Sequence, residues 1–221
     1  MKRAFGLIFL LIMCCAIFTS CQNNRAYDED EVLAEAARLV EKSEKINEIF
    51  YGAGIPYDKN DSYANGKYYP ADSDYMAGCD FNTVEELEKS LRKVYSKELS
   101  DIIVSTKLSS IGDDNGIVGF ARYYQKYDSL EKDKKPECIM VYSEAEVLLD
   151  CKVVYDYSSI KVLGSKEETV IIEISATVTN PDGESQQRTI KVNLIEEESG
   201  WRLDTPTYLR YLDKDYYEKF Q

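Results

Sequence analysis

Residues 169–195 have the sequence TVIIEISATVTNPDGESQQRTIKVNLI, which predicts two β-strands joined by a tight turn. Apolar and polar residues alternate on both sides of Pro181-Asp182-Gly183, as in strands that bury one face. A three-residue loop with Gly183 in the left-handed region would set the register of this hairpin. The predicted pairs, all on one buried face, are Ile174 with Ile190, Ile172 with Val192 and Val170 with Leu194.

Strand-forming residues continue on both sides of the hairpin. The strands predicted before it are Ile117 to Tyr124, Cys138 to Tyr142, Val147 to Tyr157 and Ile160 to Leu163. Ser158-Ser159 is predicted to be a bulge or a break. After the hairpin, Ser199-Gly200 turns the chain into a short strand, in which Leu203 would lie opposite either Leu194 or Ile195.

Helical patterns come earlier in the chain. Apolar residues recur at three- and four-residue steps from near Asp30 to Phe50, and Gly52 ends this helix. Thr83-Val84-Glu85-Glu86 is a capping box that opens a helix running to Tyr95. A third helix starts after Ser96, with Leu99, Ile102 and Ile103 as its apolar residues. Helices followed by antiparallel strands predict an α+β fold, with N-terminal helices packed on a curved C-terminal antiparallel β-sheet.

A tyrosine-rich segment, Tyr51 to Asp80, separates the first two helices. It has little helical or strand period, and Asn65-Gly66 predicts a tight turn within it. Tyrosines here could form a surface that binds a partner protein or could cover the hydrophobic core. The predicted partner-binding residues are Tyr63, Tyr68, Tyr69, Asp72, Asp74 and Tyr75. The aspartates resemble fragments of a calcium loop without its Gly and late Glu, so we predict a solvated acidic loop and no metal.

The N-terminal residues predict export. Lys2 and Arg3 precede an apolar run from Ala4 to Phe18, and Thr19-Ser20-Cys21 follows as a lipoprotein cleavage site. The run is shorter than the roughly 20 residues of a spanning helix. We therefore predict a signal peptide over 1–20, lipidation of Cys21, and an extracytoplasmic protein that the lipid anchors to the cell membrane.

The exported part is strongly acidic. Without Lys2 and Arg3, 25 of the 27 basic residues remain against 40 acidic ones, so the mature net charge is −15. This charge excludes nucleic acid as a partner and favours a basic-surfaced one, although solubility alone would also account for it. Polar residues over 21–29 predict a tether, and 30–221 is predicted to form a single α+β domain.

Histidine is absent from the sequence. This excludes catalysis by Ser/His/Asp or Cys/His groups and zinc sites that use His. Paired carboxylates could act without His, as in glycoside hydrolysis, but carboxylates are so abundant here that pairs are expected by chance. We therefore predict no enzyme and no cofactor. Cys79, Cys138 and Cys151 remain beside Cys21. They are predicted to be buried thiols, with a Cys138–Cys151 disulfide as the alternative.

Three stretches carry a resemblance to a known family. They are the capped helix Thr83 to Tyr95 with Ser96-Lys97-Glu98-Leu99 after it, the Tyr68-Tyr69 pair before it, and the ending from Gly200 to Tyr208, which contains Trp201-Arg202-Leu203-Asp204. Together they resemble the IseA-type proteinaceous inhibitors of cell-wall D,L-endopeptidases. The resemblance implies a non-catalytic exported protein that blocks the cleft of a peptidoglycan-cleaving Cys/His peptidase with an acidic surface.

The same layout also resembles the nuclear transport factor-like cone fold, which hosts many functions. The alternative function is therefore a binding module for a small ligand or an envelope protein. Such a module predicts an enclosed pocket lined by inward residues of the sheet. An inhibitor predicts instead a shallow acidic cleft with tyrosines on its rim.

Overall fold

The computed structural model describes residues 27–63, 66–109, 112–113, 116–117, 121–127, 136–149, 151–166 and 168–207. The predicted signal peptide, Cys21 and the tether up to residue 26 lie outside the described residues, as does the tail after Thr207. No helix in the described ranges is long and apolar enough to cross a membrane.

Helices precede most of the strands along the chain, which confirms the α+β class. The helices are α1 (Glu29–Tyr51), α2 (Ser73–Ala77), α3 (Val84–Arg92) and α4 (Lys97–Lys107). The strands are β1 (Tyr68–Pro70), β2 (Leu108–Ser109), β3 (Gly112–Asp113), β4 (Gly116–Ile117), β5 (Tyr123–Tyr127), β6 (Pro136–Tyr142), β7 (Lys152–Lys166), β8 (Thr169–Thr179), β9 (Ser185–Glu197) and β10 (Gly200–Leu203).

The C-terminal sheet has the strand order β10-β9-β8-β7 and is antiparallel throughout. The predicted hairpin register is confirmed, with Ile174 opposite Ile190, and its inward side chains are at most 6% exposed. Gly183 has φ +86°, and its N–H bonds the Asn180 carbonyl at 3.0 Å, as expected of the three-residue loop. Leu203 lies opposite Leu194, which settles the register left open for β10.

Strand β7 differs from its prediction at both ends. It begins at Lys152 rather than Val147 and ends at Lys166 rather than Leu163. Of the two alternatives predicted for Ser158-Ser159, the structure has the bulge, inside one 15-residue strand. The register against β8 shifts between Asp156 and Lys161, and the Ser159 hydroxyl accepts a 2.8 Å hydrogen bond from the Ser175 N–H across the bulge. A side-chain oxygen thus replaces the carbonyl that the bulge removes from the ladder.

A second four-stranded sheet, which we call the N-terminal sheet, has the order β1-β6-β5-β2 and lies earlier in the chain. Strand β6 pairs antiparallel with β1 and β5, whereas β2 pairs parallel with β5. One face of β6, with Ile139 and Val141, joins the main core, and its other face, with Met140, packs in a separate small cluster with Tyr68 and Tyr124. This sheet buries side chains on both faces.

The starts of the helices agree with the sequence predictions, but the end of α3 and the exposure of Ile102 on α4 do not. The Thr83 hydroxyl accepts from the Glu86 N–H at 3.1 Å, as the capping box predicts. Helix α3 ends at Arg92 rather than Tyr95, and the Arg202 guanidinium donates to the Arg92 carbonyl at 2.9 Å. Ile102, predicted on the apolar face of α4, is 55% exposed.

Helix α1 packs against β7 and β10, and its buried stripe runs from Val32 to Tyr51. A buried polar network fixes it to Thr207, in the segment that follows β10. The Thr207 hydroxyl donates to Ser43 at 2.6 Å and accepts from the Asn47 amide at 2.9 Å, while the Tyr95 hydroxyl donates to Asn47 at 2.6 Å. Because these buried groups satisfy one another, their hydrogen bonds offset the cost of removing them from water.

Candidate partner-binding surface

The tyrosine-rich segment forms an irregular hairpin that widens the N-terminal sheet. Tyr63 and Tyr68 exchange backbone hydrogen bonds of 2.8 and 3.2 Å, and Tyr57 bridges Ala71. Gly66, with φ +78°, lies in the predicted turn between them. Tyr57 and Tyr63 are therefore tied to the segment around β1 by single bridges, with a turn between them.

The pairing of β1 divides the predicted contact residues between two faces. Tyr68 pairs with Tyr142, whereas Tyr69 pairs with Val141. Because successive side chains of a strand point to opposite faces, Tyr68 and Tyr69 lie on opposite sides of the sheet. The six residues predicted to bind a partner do not form one continuous patch.

Tyr68 belongs to the protein interior, which corrects its predicted place on a partner surface. Its side chain is 2% exposed, and its ring lies 5.0 Å from that of Tyr124 in a T-shaped contact. Its hydroxyl donates to the Ala121 carbonyl at 2.8 Å. Burial raises the pKa of Tyr68 to about 12, because the phenolate would lose its hydration.

Tyr63 lies at the rim of this cluster, where it meets charged groups. Lys126 donates 2.6 Å to the Tyr63 hydroxyl and 2.8 Å to the Glu137 carboxylate, and the Tyr63 hydroxyl donates to Asp61 at 3.3 Å. Burial lowers the pKa of Lys126, but the bonds to Glu137 and Tyr63 outweigh burial and raise it. Tyr63 is thus half-buried and held in place before any partner binds.

Tyr69 stacks on Tyr57 at the edge of the sheet. The two rings are 5.1 Å apart and inclined by 24°, and both side chains are partly exposed. Tyr57 was not among the predicted contact residues. Its only signal in the sequence was its place in a tyrosine-rich segment.

The acidic residues of the segment have two different roles. The Asp72 carboxylate is the N-cap of α2 and accepts from the N–H groups of Asp74 and Tyr75 at 3.0 and 2.9 Å. Asp74 is exposed in the first turn of this helix. Tyr75 packs against the main core, and burial raises its pKa. Asp74 is therefore available to a partner, whereas Asp72 caps α2 and Tyr75 packs against the core.

We use the name acidic edge for the accessible residues of this region, which are Tyr57, Asp58, Asp61, Tyr63, Tyr69 and Asp74. Exposed Lys59 and half-exposed Lys67 lie on the same segment, and Lys67 pairs with Glu144 at 3.5 Å. The edge thus combines acidic charge with partly exposed tyrosine rings, which provide contact area at little entropic cost.

The structure also bears on the predictions about cysteines and metal ions. Cys138 is a free thiol, so the Cys138–Cys151 disulfide is not formed, and burial raises the pKa of Cys138. Within the described ranges, no group of three or more Cys, Asp or Glu side chains could hold a metal ion.

The Trp201-Arg202-Leu203-Asp204 ending, which carries the family resemblance, has structural roles. Arg202 caps α3, and the Leu203 N–H donates to the Val94 carbonyl at 2.9 Å. The Asp204 N–H donates to the Asn193 carbonyl at 2.7 Å. The motif therefore ties β10 to the chain between α3 and α4. No family model matches the chain, and a comparison with curated proteins finds no match.

Proposed function

We propose that the mature protein is a lipid-anchored, extracytoplasmic inhibitor of a cell-wall D,L-endopeptidase and performs no catalysis itself. In this proposal the lipid on Cys21 keeps the inhibitor at the cell membrane. The acidic edge lies across the basic active-site cleft of the enzyme and blocks it, and the tyrosine rings add contact area. The observation that carries the proposal is that one segment contains both the exposed carboxylates of Asp58, Asp61 and Asp74 and the partly exposed, stacked Tyr57–Tyr69 pair.

Charge and packing support an inhibitor over the alternative binding module. A mature net charge of −15 favours association with a basic surface and speeds the encounter. The alternative requires a cavity between the C-terminal sheet and the helices. The inward side chains of β8 and β9 are instead packed into the core with α1, as shown by Ile172, Val192 and Leu194, each 0% exposed.

The test is hydrolysis of purified peptidoglycan by each D,L-endopeptidase of the host. The mature chain without lipid is added in excess, at low and at physiological ionic strength. We expect at least one enzyme to be slowed, and more strongly at low salt, because salt screens exposed charges beyond about 8 Å. If no enzyme is slowed at either ionic strength, the inhibitor proposal is wrong.

A pull-down from envelope extract separates the two functions. An inhibitor should retain a peptidoglycan hydrolase on the immobilised mature chain. A binding module should retain a different envelope protein, and its binding should not change when the acidic edge is neutralised.

A further inference from the structure

A small cavity with cationic walls lies where α1 meets the end of α3. Its volume is about 150 Å³. Lys42 and Lys45 come from α1, and Lys93 follows the last residue of α3. Three lysines around one cavity are unusual in a chain whose net charge is −13.

The floor of the cavity is apolar. Ile46, Phe81 and Val94 line it, and they are 6%, 1% and 2% exposed. Ser90 adds a hydroxyl to the wall. A ligand here would place an apolar body on the floor and a polar group at the mouth, which is the usual arrangement of a small-molecule site.

The lysines are only partly neutralised. Lys45 forms a 3.9 Å ion pair with Asp80, but the two side chains are 52% and 76% exposed. A pair so long and so exposed contributes little. In the described part of the chain, neither Lys42 nor Lys93 forms an ion pair. The Glu35 carboxylate interacts with the charge of Lys42 through space, but it forms its ion pair with Arg38. An anion in the cavity would therefore give Lys42 and Lys93 a direct partner.

We propose that this cavity binds a small carboxylate with an apolar body about the size of one ring. A cavity of about 150 Å³ is large enough to hold benzene. The carboxylate would lie between Lys42 and Lys93, while Lys45 keeps its own contact with Asp80. This site uses other residues than the acidic edge and does not depend on the proposed inhibition.

Benzoate is the probe, and benzamide is its uncharged analogue of the same shape. Both are titrated into the mature chain labelled with ¹⁵N, and backbone amide shifts are followed by NMR. We expect benzoate to shift the amides of Phe81, Ser90 and Val94 in a saturable way, and benzamide to bind at least several-fold more weakly. Shifts that do not saturate, or that fall elsewhere, would overturn the proposal.

Charge variants test the role of each group. Lys42→Gln with Lys93→Gln should weaken benzoate binding by about twofold to fivefold per lysine, the range of a solvent-exposed ion pair. Lys152→Gln with Lys166→Gln, two exposed lysines on β7, removes the same charge and should leave the affinity almost unchanged. Asp80→Asn should tighten binding by removing a carboxylate of the cavity wall that repels the anion. Equal losses in both double variants would show that benzoate senses only the net charge, and the site would be rejected.

Discussion

Arg122 donates a 2.6 Å hydrogen bond from Nη2 to the carbonyl oxygen of Gly52, just past the end of helix α1. Its Nη1 donates to the Phe50 carbonyl at 3.2 Å, and the residue is 4% exposed. A buried guanidinium at the negative end of a helix satisfies carbonyls that have no partner within the helix. This arrangement joins α1 to the N-terminal sheet, whose strand β5 begins at the next residue.

Gly54→Ala should destabilise the protein by about 2–4 kcal/mol, because it combines two costs. Gly54 has φ +83°, where a β-carbon costs about 1–2 kcal/mol. That carbon would also collide with Arg122 Nη2 and lie 2.6 Å from the Tyr123 hydroxyl. The measurement is the free energy of unfolding in urea.

Gly183→Ala is the matched control for this change. Its φ is +86°, but nothing lies within 4 Å of the added carbon, so only the backbone cost of about 1–2 kcal/mol applies. Equal losses at the two glycines would show that Arg122 and Tyr123 yield to the methyl group.

Ile172→Ala and Ile190→Ala should each reduce the free energy of unfolding by about 2–5 kcal/mol, the cost of a cavity in a packed core. Ile172 is 0% exposed and Ile190 is 6% exposed on the inner face of the hairpin. Val154→Ala is the control, since Val154 is 54% exposed on neighbouring strand β7 and should change stability by less than about 0.5 kcal/mol. A loss below about 1 kcal/mol at both isoleucines would contradict the register.

The hairpin could be predicted because all its information is local. Its two strands are joined by three residues, and alternation over many positions fixes both face and register. The N-terminal sheet could not be predicted in this way. Strand β1 has three residues, too few to show alternation, and its partner β6 lies far along the chain, with Tyr68 opposite Tyr142.

The candidate site could be predicted only in part, because it too depends on long-range pairing. The sequence marks a tyrosine-rich acidic segment, but adjacent Tyr68 and Tyr69 differ in exposure only because pairing with β6 turns one inward. The Asp72 carboxylate is likewise indistinguishable from that of Asp74 until α2 forms and takes Asp72 as its cap. Long-range pairing therefore decides which residues a partner can reach.

Tyr124→Phe should make stability less sensitive to alkaline pH. Burial raises the pKa of Tyr124 to about 12, above the value near 10 of an unfolded tyrosine. The unfolded chain therefore loses this proton first, so the contribution is complete below about pH 10 and is lost as pH rises to about 12. The free energy of unfolding, measured from pH 8 to 11.5, should fall less steeply with pH in the variant than in the wild type. Tyr127→Phe, at a 37% exposed position, is the control and should match the wild type.

Cys21→Ala should abolish lipidation and release the protein from the membrane or leave an unprocessed precursor. The prediction follows from Thr19-Ser20-Cys21 after the apolar run. Fractionation with metabolic labelling by a palmitate analogue measures both outcomes. Cys79→Ala is the control and should keep label and membrane retention. Label that persists in Cys21→Ala would place the lipid on another residue.

The acidic edge should control the rate at which the inhibited enzyme binds. Asp61→Asn with Asp74→Asn removes two exposed carboxylates while keeping the side-chain shape. Because charge acts mainly on the encounter, we expect the association rate to fall several-fold at low salt and the dissociation rate to change little. Asp182→Asn with Glu198→Gln, in the turns at the two ends of β9, removes the same charge elsewhere and should change association much less.

Tyr69→Ala should act on dissociation instead. The ring is partly exposed and stacked on Tyr57, so its loss removes contact area and the support of its neighbour. We expect dissociation to become about tenfold faster or more, with association nearly constant. Tyr68→Ala is not a suitable probe, because Tyr68 is 2% exposed and its truncation would unfold its cluster. Surface plasmon resonance with the endopeptidase that the hydrolysis assay identifies separates the two rates. If Tyr69→Ala and the charge variants leave both rates unchanged while inhibition persists, the enzyme binds a surface other than the acidic edge.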